Sequence, residues 1–226
     1  MPLTPPPAKY DGTPNRHVLS RGTCLWRIHH CTRPGHGFRP VPSDLRFGGA
    51  RFDSTGLDPY PFWYAALGEI TAVAEVLLRD LNPDERGTRA LPRQAVADRK
   101  LSGLTLTRNL DLVSLIGGQD LAAIAQDGWL VTASAHEYVQ TRAWAQWLRG
   151  QAPWAQGFIW SSRCDLGGRA VVLFGDRCAA TFGASYESSL LHEVPELAVD
   201  LGDKAGADWL NGLLEPWRVA VEVPRR

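Results

Sequence analysis

Short stretches of the chain alternate between apolar and polar residues, which is the pattern of half-buried β-strands. The first covers residues 24–29, where alternation places Trp26 and Ile28 on one face and Arg27 on the other. Further strand candidates lie at 62–66, 104–106, 110–113, 157–160, 170–174 and 217–223. The chain is therefore expected to build its sheet from many short strands.

Helical spacing replaces this alternation in three places. The clearest helix is predicted over 69–81, where apolar residues recur every three or four positions and form one stripe. Residues 134–137 (SAHE) match the Ser-x-x-Glu capping box and predict a helix that runs to about Leu148. A shorter helix is expected near 119–126. Strands and helices mix without a regular βαβ rhythm, which predicts an α+β fold.

The chain shows no internal repeat and no domain boundary after residue 20. A chain of 226 residues is long enough to bury a full core. We therefore predict a single domain over 21–226. Residues 1–20 are rich in Pro, Thr, Gly and Asn, and we expect them to form a flexible lead-in.

The number and distribution of charged residues indicate which classes of ligand the protein can bind. The 24 Lys and Arg residues balance the 24 Asp and Glu residues, which disfavours a protein that binds nucleic acid by neutralising phosphates. The balance is uneven along the chain, because residues 1–60 are basic and residues 183–226 are acidic. The basic end therefore suits a small anionic ligand better.

Location and redox state follow from two further features. No apolar run approaches the about 20 residues that span a bilayer, and residues 1–7 lack the apolar core of a signal peptide. The four cysteines are too scattered for a disulfide framework. The sequence therefore predicts a cytoplasmic protein with reduced thiols and no membrane contact.

Common enzyme signatures are missing from the chain, including the dinucleotide-binding, phosphate-loop, zinc-helix and nucleophile-elbow motifs. One cluster has the composition of a zinc site, namely Cys24, His29, His30, Cys31 and His36. Strand alternation directs Cys24 and His29 to opposite faces, and no second cysteine pair lies at ligand spacing. We therefore expect no metal, and the chemistry must come from dispersed residues.

Four stretches combine arginine, glycine, glutamate and serine in a fixed order. Residues 25–28 (LWRI) form an early strand with a central arginine. Residues 48–56 (GGARFDSTG) precede 63–66 (WYAA). Residues 72–77 (AVAEVL) lie in the predicted helix, and 157–163 (GFIWSSR) precede 171–174 (VVLF). Together these stretches resemble the RES-domain family, most clearly over 22–176.

The family takes its name from an Arg, a Glu and a Ser. The matching residues here are Arg51, with Arg27 as the second arginine, Glu75 and Ser162. The chain departs from the family pattern at two positions. Trp160 stands where a Tyr is more frequent, and Ile28 follows the first arginine, where a Tyr is often found.

The resemblance implies a function and a fold. RES proteins are typically bacterial toxins partnered by an Xre-type antitoxin, and they degrade NAD by phosphorolysis or hydrolysis of the nicotinamide–ribose bond. NAD is thus the expected substrate and inorganic phosphate a candidate co-substrate. The implied fold is similar to that of ADP-ribosyltransferases, with a split antiparallel β-sheet and flanking helices. Whether the protein forms a homo-oligomer is left open.

On this resemblance, Glu75, Arg51 and Ser162 are expected to be catalytic, and Arg27, Arg51, Tyr64 and Ser162 are expected to contact NAD. A carboxylate at Glu75 would stabilise positive charge on the ribose. Arginines bind pyrophosphate oxygens through a planar fork. Tyr64 could stack on the nicotinamide ring or bond a ribose, and the Ser162 hydroxyl could position the ribose.

Each of these residues also has a simpler structural interpretation. Glu75 could be a solvated residue paired with Arg79 four positions on. Arg27 and Arg51 could lie on the surface, Tyr64 in the core, and Ser162 could cap local backbone.

Two other functions stay open at this point. The same pocket would serve an ADP-ribosyltransferase that acts on a macromolecular acceptor. A module that binds NAD or a partner without turnover is the alternative outside the enzymes. Residues 34–42, which are rich in Pro, are a candidate lid.

Overall fold

The computed structural model describes residues 5–40, 42–43 and 48–222 of the chain. The strands in these residues are β1 (Arg16–Leu19), β2 (Cys24–His30), β3 (Phe62–Ala66), β4 (Arg89–Leu91), β5 (Arg99–Leu106), β6 (Leu110–Leu115), β7 (Gly157–Ser161), β8 (Arg169–Phe174), β9 (Leu191–Asp200) and β10 (Val219–Val221). The helices are α1 (Glu69–Val73), α2 (Gly118–Ala123), α3 (Trp129–Thr132), α4 (Tyr138–Gln151), α5 (Gly175–Phe182), α6 (Tyr186–Leu190) and α7 (Lys204–Leu214).

Eight of these strands form one sheet in the order β1-β6-β7-β8-β3-β2-β5-β9. Neighbouring strands run antiparallel except for the parallel pair β6 and β7. β4 and β10 form a separate parallel pair. The α+β fold with an antiparallel sheet and flanking helices, expected from the sequence, is confirmed.

Both faces of the sheet are buried, because alternate residues of the central strands enter different core clusters. Phe62, Phe158 and Val172 pack with Trp144 and Leu148 of α4. Their strand neighbours, which include Trp63, Ile159 and Val171, pack with Cys178 of α5 and Leu190 of α6. A third cluster joins α1 and α7 to the β2–β5 end of the sheet. Helices therefore cover the sheet on both sides.

The sheet is weakly joined at β2 and β3, near its middle. The described residues of these two strands share a single register pair, Trp26 with Ala66. By contrast, β2 pairs with β5 over seven positions and β3 pairs with β8 over five. The two halves of the sheet therefore diverge at this junction, and space opens between them.

The predicted elements are largely present, with changed ends. The helix predicted over 69–81 consists of α1 followed by a π-helical turn over Ala74–Leu78. The capping box is present, and the Ser134 N–H donates to Glu137 Oε2 at 2.9 Å. It opens a 3₁₀ turn, and α4 begins only at Tyr138. The strand candidate at 104–106 is the end of the longer β5.

Two predictions at the chain ends need correction. Residues 16–19 were expected in a flexible lead-in, but they form β1 and pair with β6. The strand predicted over 217–223 is shorter, because Glu215–Trp217 is a 3₁₀ turn and β10 covers Val219–Val221. Val223 lies outside the described residues. No helix in the described ranges is long and apolar enough to cross a membrane.

Candidate functional site

A cavity of about 440 Å³ opens where β2 and β3 diverge. This volume lies within the range of about 300–1,000 Å³ that is typical of small-molecule sites. Its wall combines both halves of the sheet with α1, the loop before β3 and the start of α4. The lining residues include Trp26, Arg27, Ile28, Arg39, Gly49, Ala50, Arg51, Asp53, Phe62, Tyr64, Glu75, Val76, Arg79, Arg99, Tyr138 and Trp160.

Arginine dominates the polar part of this wall. In the part of the chain that the structure describes, five arginines line the cavity against two carboxylates, Asp53 and Glu75. A concave site with one excess sign of charge concentrates ligands of the opposite sign. The cavity is therefore suited to an anion that carries more than one negative charge.

Glu75 lies in the π-helical turn that follows α1. Its Oε1 accepts a 2.6 Å hydrogen bond from the Ser162 hydroxyl. Among the described residues Oε2 has no hydrogen-bond partner, and Glu75 lines the cavity. π-Helical turns inside helices are often found at functional sites. One carboxylate oxygen is thus fixed by the protein while the other remains for a ligand.

Ser162 lies behind Glu75 and is only 1% exposed. Its hydroxyl donates to Glu75 and accepts from the backbone N–H groups of Cys164 at 3.1 Å and Asp165 at 3.0 Å. A serine hydroxyl has one donor and two acceptor sites, so all the hydrogen-bonding positions of Ser162 are occupied. The Asp165 carboxylate in turn accepts a 2.6 Å hydrogen bond from Thr71 of α1. In this arrangement Ser162 orients Glu75 and tethers the β7–β8 turn to α1.

Arg51 is buried in the loop that precedes β3. Its Nη2 donates to the Ala133 carbonyl at 3.0 Å, and its guanidinium lies 5.5 Å from the centre of the Tyr138 ring. The buried Nε has no hydrogen-bond partner among the described residues. Burial lowers the pKa of the Arg51 guanidinium, and the nearby Tyr138 and Glu75 oppose that shift. Arg51 thus lines the cavity with a guanidinium group whose hydrogen-bond donors are only partly paired.

The loop around Arg51 is clamped by Arg142 of α4. The Arg142 guanidinium donates to the carbonyls of Ser43, Gly48 and Ala50 at 2.6–3.1 Å. Gly48 and Gly49 have φ values of +94° and +72°, a region that favours glycine. A Cβ on Gly49 would also lie 2.6 Å from Arg142 Nη2. The glycine pair thus lets the loop approach both Arg142 and the cavity.

Tyr64 and Asp53 are neighbouring polar residues in the cavity wall, and Asp53 is buried while Tyr64 is half-buried. The Tyr64 oxygen accepts from the Phe52 N–H at 2.9 Å, and the Asp53 carboxylate is close enough to contribute, together with burial, to the raised pKa of Tyr64. Burial raises the pKa of Tyr64 well above its ordinary value. The Tyr64 ring packs edge-to-face on Phe62 and Trp160, with ring centres 5.8 and 6.2 Å apart. This wall is therefore aromatic and suits a planar ring.

Arg27 faces away from Trp26, as alternation along β2 predicts. Its Nη1 donates to the carbonyls of Gly35 at 2.9 Å and Gly37 at 2.7 Å, and the guanidinium lies 5.3 Å from the Trp63 ring centre. Burial lowers its pKa to about 10. Arg27 also contributes to the cavity wall. Its side chain thus ties the proline-rich 34–42 segment to β2 beside the cavity.

Several lining residues were not identified from the sequence. Tyr138 lines the cavity between Arg51 and Arg79, and Arg79 Nη1 lies 3.4 Å from the Tyr138 hydroxyl. Arg79 also pairs with Asp80 at 3.3 Å, whereas Glu75 bonds Ser162. The π-helical turn changes the spacing between positions 75 and 79, which hydrophobic periodicity does not reveal. Tyr138 directly follows the predicted capping box, and this position was the sequence feature that could have drawn attention to it.

The residues considered for zinc are separated in the structure. The His29 Nε2 lies 2.9 Å from the Ser102 hydroxyl, and His36 Nδ1 pairs with Glu193 at 2.9 Å. Cys31 is exposed and Cys24 half-buried. Within the described ranges no three His, Cys, Asp or Glu side chains are grouped to hold a metal ion.

Comparison with known proteins adds an independent result. The chain is similar to the crystal structure of the M. tuberculosis MbcT–MbcA toxin–antitoxin complex, with a TM-score of 0.48 and 18% sequence identity. That alignment covers 81% of this chain and 86% of the other. No curated protein matches the sequence.

A family model described as the RES domain matches residues 24–198. The match continues past residue 176, where the resemblance read from the sequence becomes less clear. It includes Arg27, Arg51, Glu75 and Ser162, and it spans well over half of the chain. The chain therefore belongs to the RES-domain family.

Proposed function

We propose that this protein cleaves the nicotinamide–ribose bond of NAD. The observation that carries the proposal is the Glu75 carboxylate, fixed through one oxygen by Ser162 and directed through the other at an arginine-lined cavity. Membership of the RES-domain family supports it, since family proteins typically degrade NAD. The divergence of β2 and β3 also fits the split sheet implied by similarity to ADP-ribosyltransferases.

The proposed reaction places positive charge next to Glu75. As the bond from the ribose C1″ to the nicotinamide nitrogen breaks, its electron pair neutralises the pyridinium ring. The ribose then gains oxocarbenium character, which a carboxylate fixed beforehand stabilises. A water or phosphate oxygen bonds to C1″. With water the products are nicotinamide, ADP-ribose and a proton, and with phosphate they are nicotinamide and ADP-ribose 1″-phosphate.

The arginines would bind the remaining part of the substrate. NAD has a pyrophosphate with two negative charges, and guanidinium groups pair with such oxygens. Arg51 and Arg79 would act nearest the carboxylate in this scheme, because Glu75 contributes to the electrostatic environment of both. Arg39 and Arg99 are exposed at the cavity wall and would hold the outer phosphates or an attacking inorganic phosphate. Arg27 would support this wall from β2.

Tyr64 and its aromatic neighbours would receive the nicotinamide ring. Phe62, Tyr64 and Trp160 together form an aromatic wall of edge-to-face rings, with a polar edge at Asp53. Stacking on such a surface would orient the leaving group relative to Glu75. Ser162 would act on the ribose only through Glu75, as a positioning residue.

We extend the proposal to the biological role. RES proteins are typically toxins partnered by an Xre-type antitoxin, so we propose that this chain is a toxin of the same kind. Depletion of NAD would then halt growth unless the partner is present. Expression of the chain alone and together with its genomic neighbour tests this role by colony counts.

The test of the enzymatic proposal is NAD turnover by the purified protein, with and without inorganic phosphate. We expect nicotinamide release, and we expect Glu75→Gln to slow it by about 100-fold or more. Glu69→Gln is the matched control, because Glu69 is the first residue of α1, on the same helical segment as Glu75, and does not line the cavity. This control should keep wild-type turnover.

The products separate the alternatives. Phosphate-stimulated release with ADP-ribose 1″-phosphate indicates a phosphorylase, and phosphate-independent release of free ADP-ribose indicates a hydrolase. Label transferred from NAD to a macromolecule indicates an ADP-ribosyltransferase. Binding of NAD without any turnover by the folded, partner-free protein would contradict the enzymatic proposal and favour a binding module.

A further inference from the structure

Two buried polar atoms with opposite hydrogen-bonding roles lie unpaired at the aromatic end of the cavity. Asp53 Oδ1, an acceptor, and Trp160 Nε1, a donor, have no hydrogen-bond partner among the described residues. Both side chains are about 2% exposed, and both residues line the cavity. Buried polar groups are nearly always paired in native proteins, so an unpaired set at a cavity indicates a missing ligand or water.

Tyr64 connects these two groups. Its hydroxyl lies beside Asp53, whose charge contributes, together with burial, to the raised pKa of Tyr64, and its ring packs edge-to-face on Trp160 with ring centres 6.2 Å apart. Trp160 also packs against Phe52, the residue next to Asp53, at 5.2 Å. The remaining Asp53 oxygen, Oδ2, accepts from the Ala50 N–H at 2.8 Å, which fixes the carboxylate. Acceptor and donor therefore belong to one rigid cluster beside the aromatic surface.

We propose, on the basis of the NAD-cleaving function above, that Asp53 and Trp160 recognise the carboxamide of the nicotinamide ring. A primary carboxamide has an NH₂ donor and a carbonyl acceptor on one planar group. The NH₂ donates to Asp53 Oδ1, and the carbonyl accepts from Trp160 Nε1. The pair thereby sets specificity for a pyridine amide over a pyridine carboxylate.

The negative charge on Asp53 makes the site prefer an amide to a carboxylate. A ligand carboxylate in the same place would bring two carboxylates together and leave Asp53 Oδ1 without a donor. Like charges at short range disfavour binding, and a site built to hydrogen-bond one group rejects analogues that lack it. Nicotinate, which differs from nicotinamide only in this group, is therefore the informative probe.

The experiment measures the binding of nicotinamide and nicotinate by calorimetry, which requires no turnover. We expect the wild-type protein to bind nicotinamide at least about tenfold more tightly than nicotinate. Asp53→Asn keeps the shape of the side chain and replaces an acceptor by an NH₂ donor, so the preference should fall to within about threefold or reverse. Asp208→Asn, at an exposed aspartate of α7, is the matched control and should keep the wild-type preference.

Trp160→Phe removes the donor without changing Asp53. It therefore tests the inference even if the Asp53→Asn variant does not fold. It should weaken nicotinamide binding by about fivefold or more and leave the weak nicotinate binding little changed. Equal binding of the two ligands by the wild type, or an unchanged preference in both variants, would overturn the inference. Selective nicotinamide binding without cleavage of NAD would instead contradict only the proposed function.

Discussion

Glu75 and Ser162 are 87 positions apart in the sequence but share one short hydrogen bond. The contact depends on the placement of both groups by separate elements, the π-helical turn after α1 and the turn after β7. The sequence identified both residues as candidates, yet it assigned Ser162 a contact with the ribose. The observed hydroxyl is fully used within the protein, so we propose that its effect on the ligand passes through Glu75.

Replacing Ser162 by Ala tests this positioning role. The change removes the donor to Glu75 and the acceptor for two backbone N–H groups, and it should lower the free energy of unfolding by about 2–3 kcal/mol. Turnover of NAD should fall in kcat by about tenfold or more, with KM nearly constant, because the carboxylate loses its orientation. Urea unfolding and steady-state kinetics measure the two effects.

Ser161→Ala is the control for that variant. The Ser161 hydroxyl donates to the Ile116 carbonyl at 2.7 Å and does not contact Glu75. Its replacement should cost some stability and leave kcat unchanged. If Ser162→Ala turned over NAD at the wild-type kcat, Ser162 would not position the carboxylate.

Asp53 gives a second prediction at this scale, on stability. Burial raises the pKa of its carboxyl, although the Ala50 N–H, Tyr64, Arg142 and Arg39 oppose that rise. The folded state therefore binds this proton more tightly than the unfolded state. The stabilisation is complete below the unfolded pKa and is lost as the pH rises through the folded pKa. Asp53→Asn should accordingly be more stable than the wild type near pH 7.5.

The gain in stability should shrink as the pH falls towards about 4, where the folded wild type binds the proton and the unfolded chain begins to bind it as well. Urea unfolding of both proteins at the two pH values measures the difference. The same gain at both pH values would show that ionisation of Asp53 does not limit stability. A gain in stability together with a loss of ligand preference is typical of a residue retained for function.

At the scale of elements, local patterns predicted the strands and helices that the core buries on both sides. β2, β3, β7 and β8 were all expected within a few residues, because their apolar runs reflect burial. The edge strands β1 and β9 were missed. β9 includes Pro195 and is mostly half-exposed, so it lacks clear alternation, and such prolines are confined to edges. The π-helical turn leaves no mark in the sequence either.

The loop that presents Arg51 depends on Gly49, and Gly49→Ala tests that dependence. Its φ of +72° and the predicted Cβ positions 2.6–2.7 Å from Arg142 and Asp53 would strain the loop. We expect unfolding to become easier by about 1–3 kcal/mol and kcat/KM for NAD to drop about tenfold or more. Thermal melting and kinetics measure both.

Gly48→Ala separates the two sources of strain. Gly48 has a φ of +94°, but an added Cβ there would meet nothing within 4 Å. It should therefore lose stability through backbone conformation alone, with a smaller loss of activity. Equal losses in both variants would mean that the clamp around Gly49 does not matter for the site.

At the scale of the whole molecule, the cavity gathers five arginines from distant parts of the chain. The sequence showed that residues 1–60 are basic, and it identified Arg27 and Arg51. It could not place Arg39, Arg79 and Arg99 beside them. Arg99 begins β5, which becomes a neighbour of β2 only through the strand order of the sheet. Arg39 and Arg79 lie in a loop and after the π-helical turn, and these segments meet only in the folded chain. Non-local pairing of this kind is the part of the site that no local pattern encodes.

This concentration of charge predicts a salt-dependent KM. Raising the ionic strength from about 0.05 to 0.5 M shortens the range of electrostatic attraction, so KM for NAD should rise about threefold or more while kcat changes little. Arg99→Gln should reduce that dependence, and Arg93→Gln, outside the cavity, should not. A KM that is independent of salt would argue against an anionic substrate in this cavity.

The proposed role of Glu75, to act on the bond being broken rather than on binding, is tested most directly by Glu75→Gln with NAD already bound. Calorimetry gives the Kd, and a single-turnover experiment gives the rate of nicotinamide release from the bound state. We predict a Kd within about threefold of the wild type and a rate at least about 100-fold lower. Release from bound NAD at the wild-type rate, or a variant that fails only because it no longer binds NAD, would contradict that role.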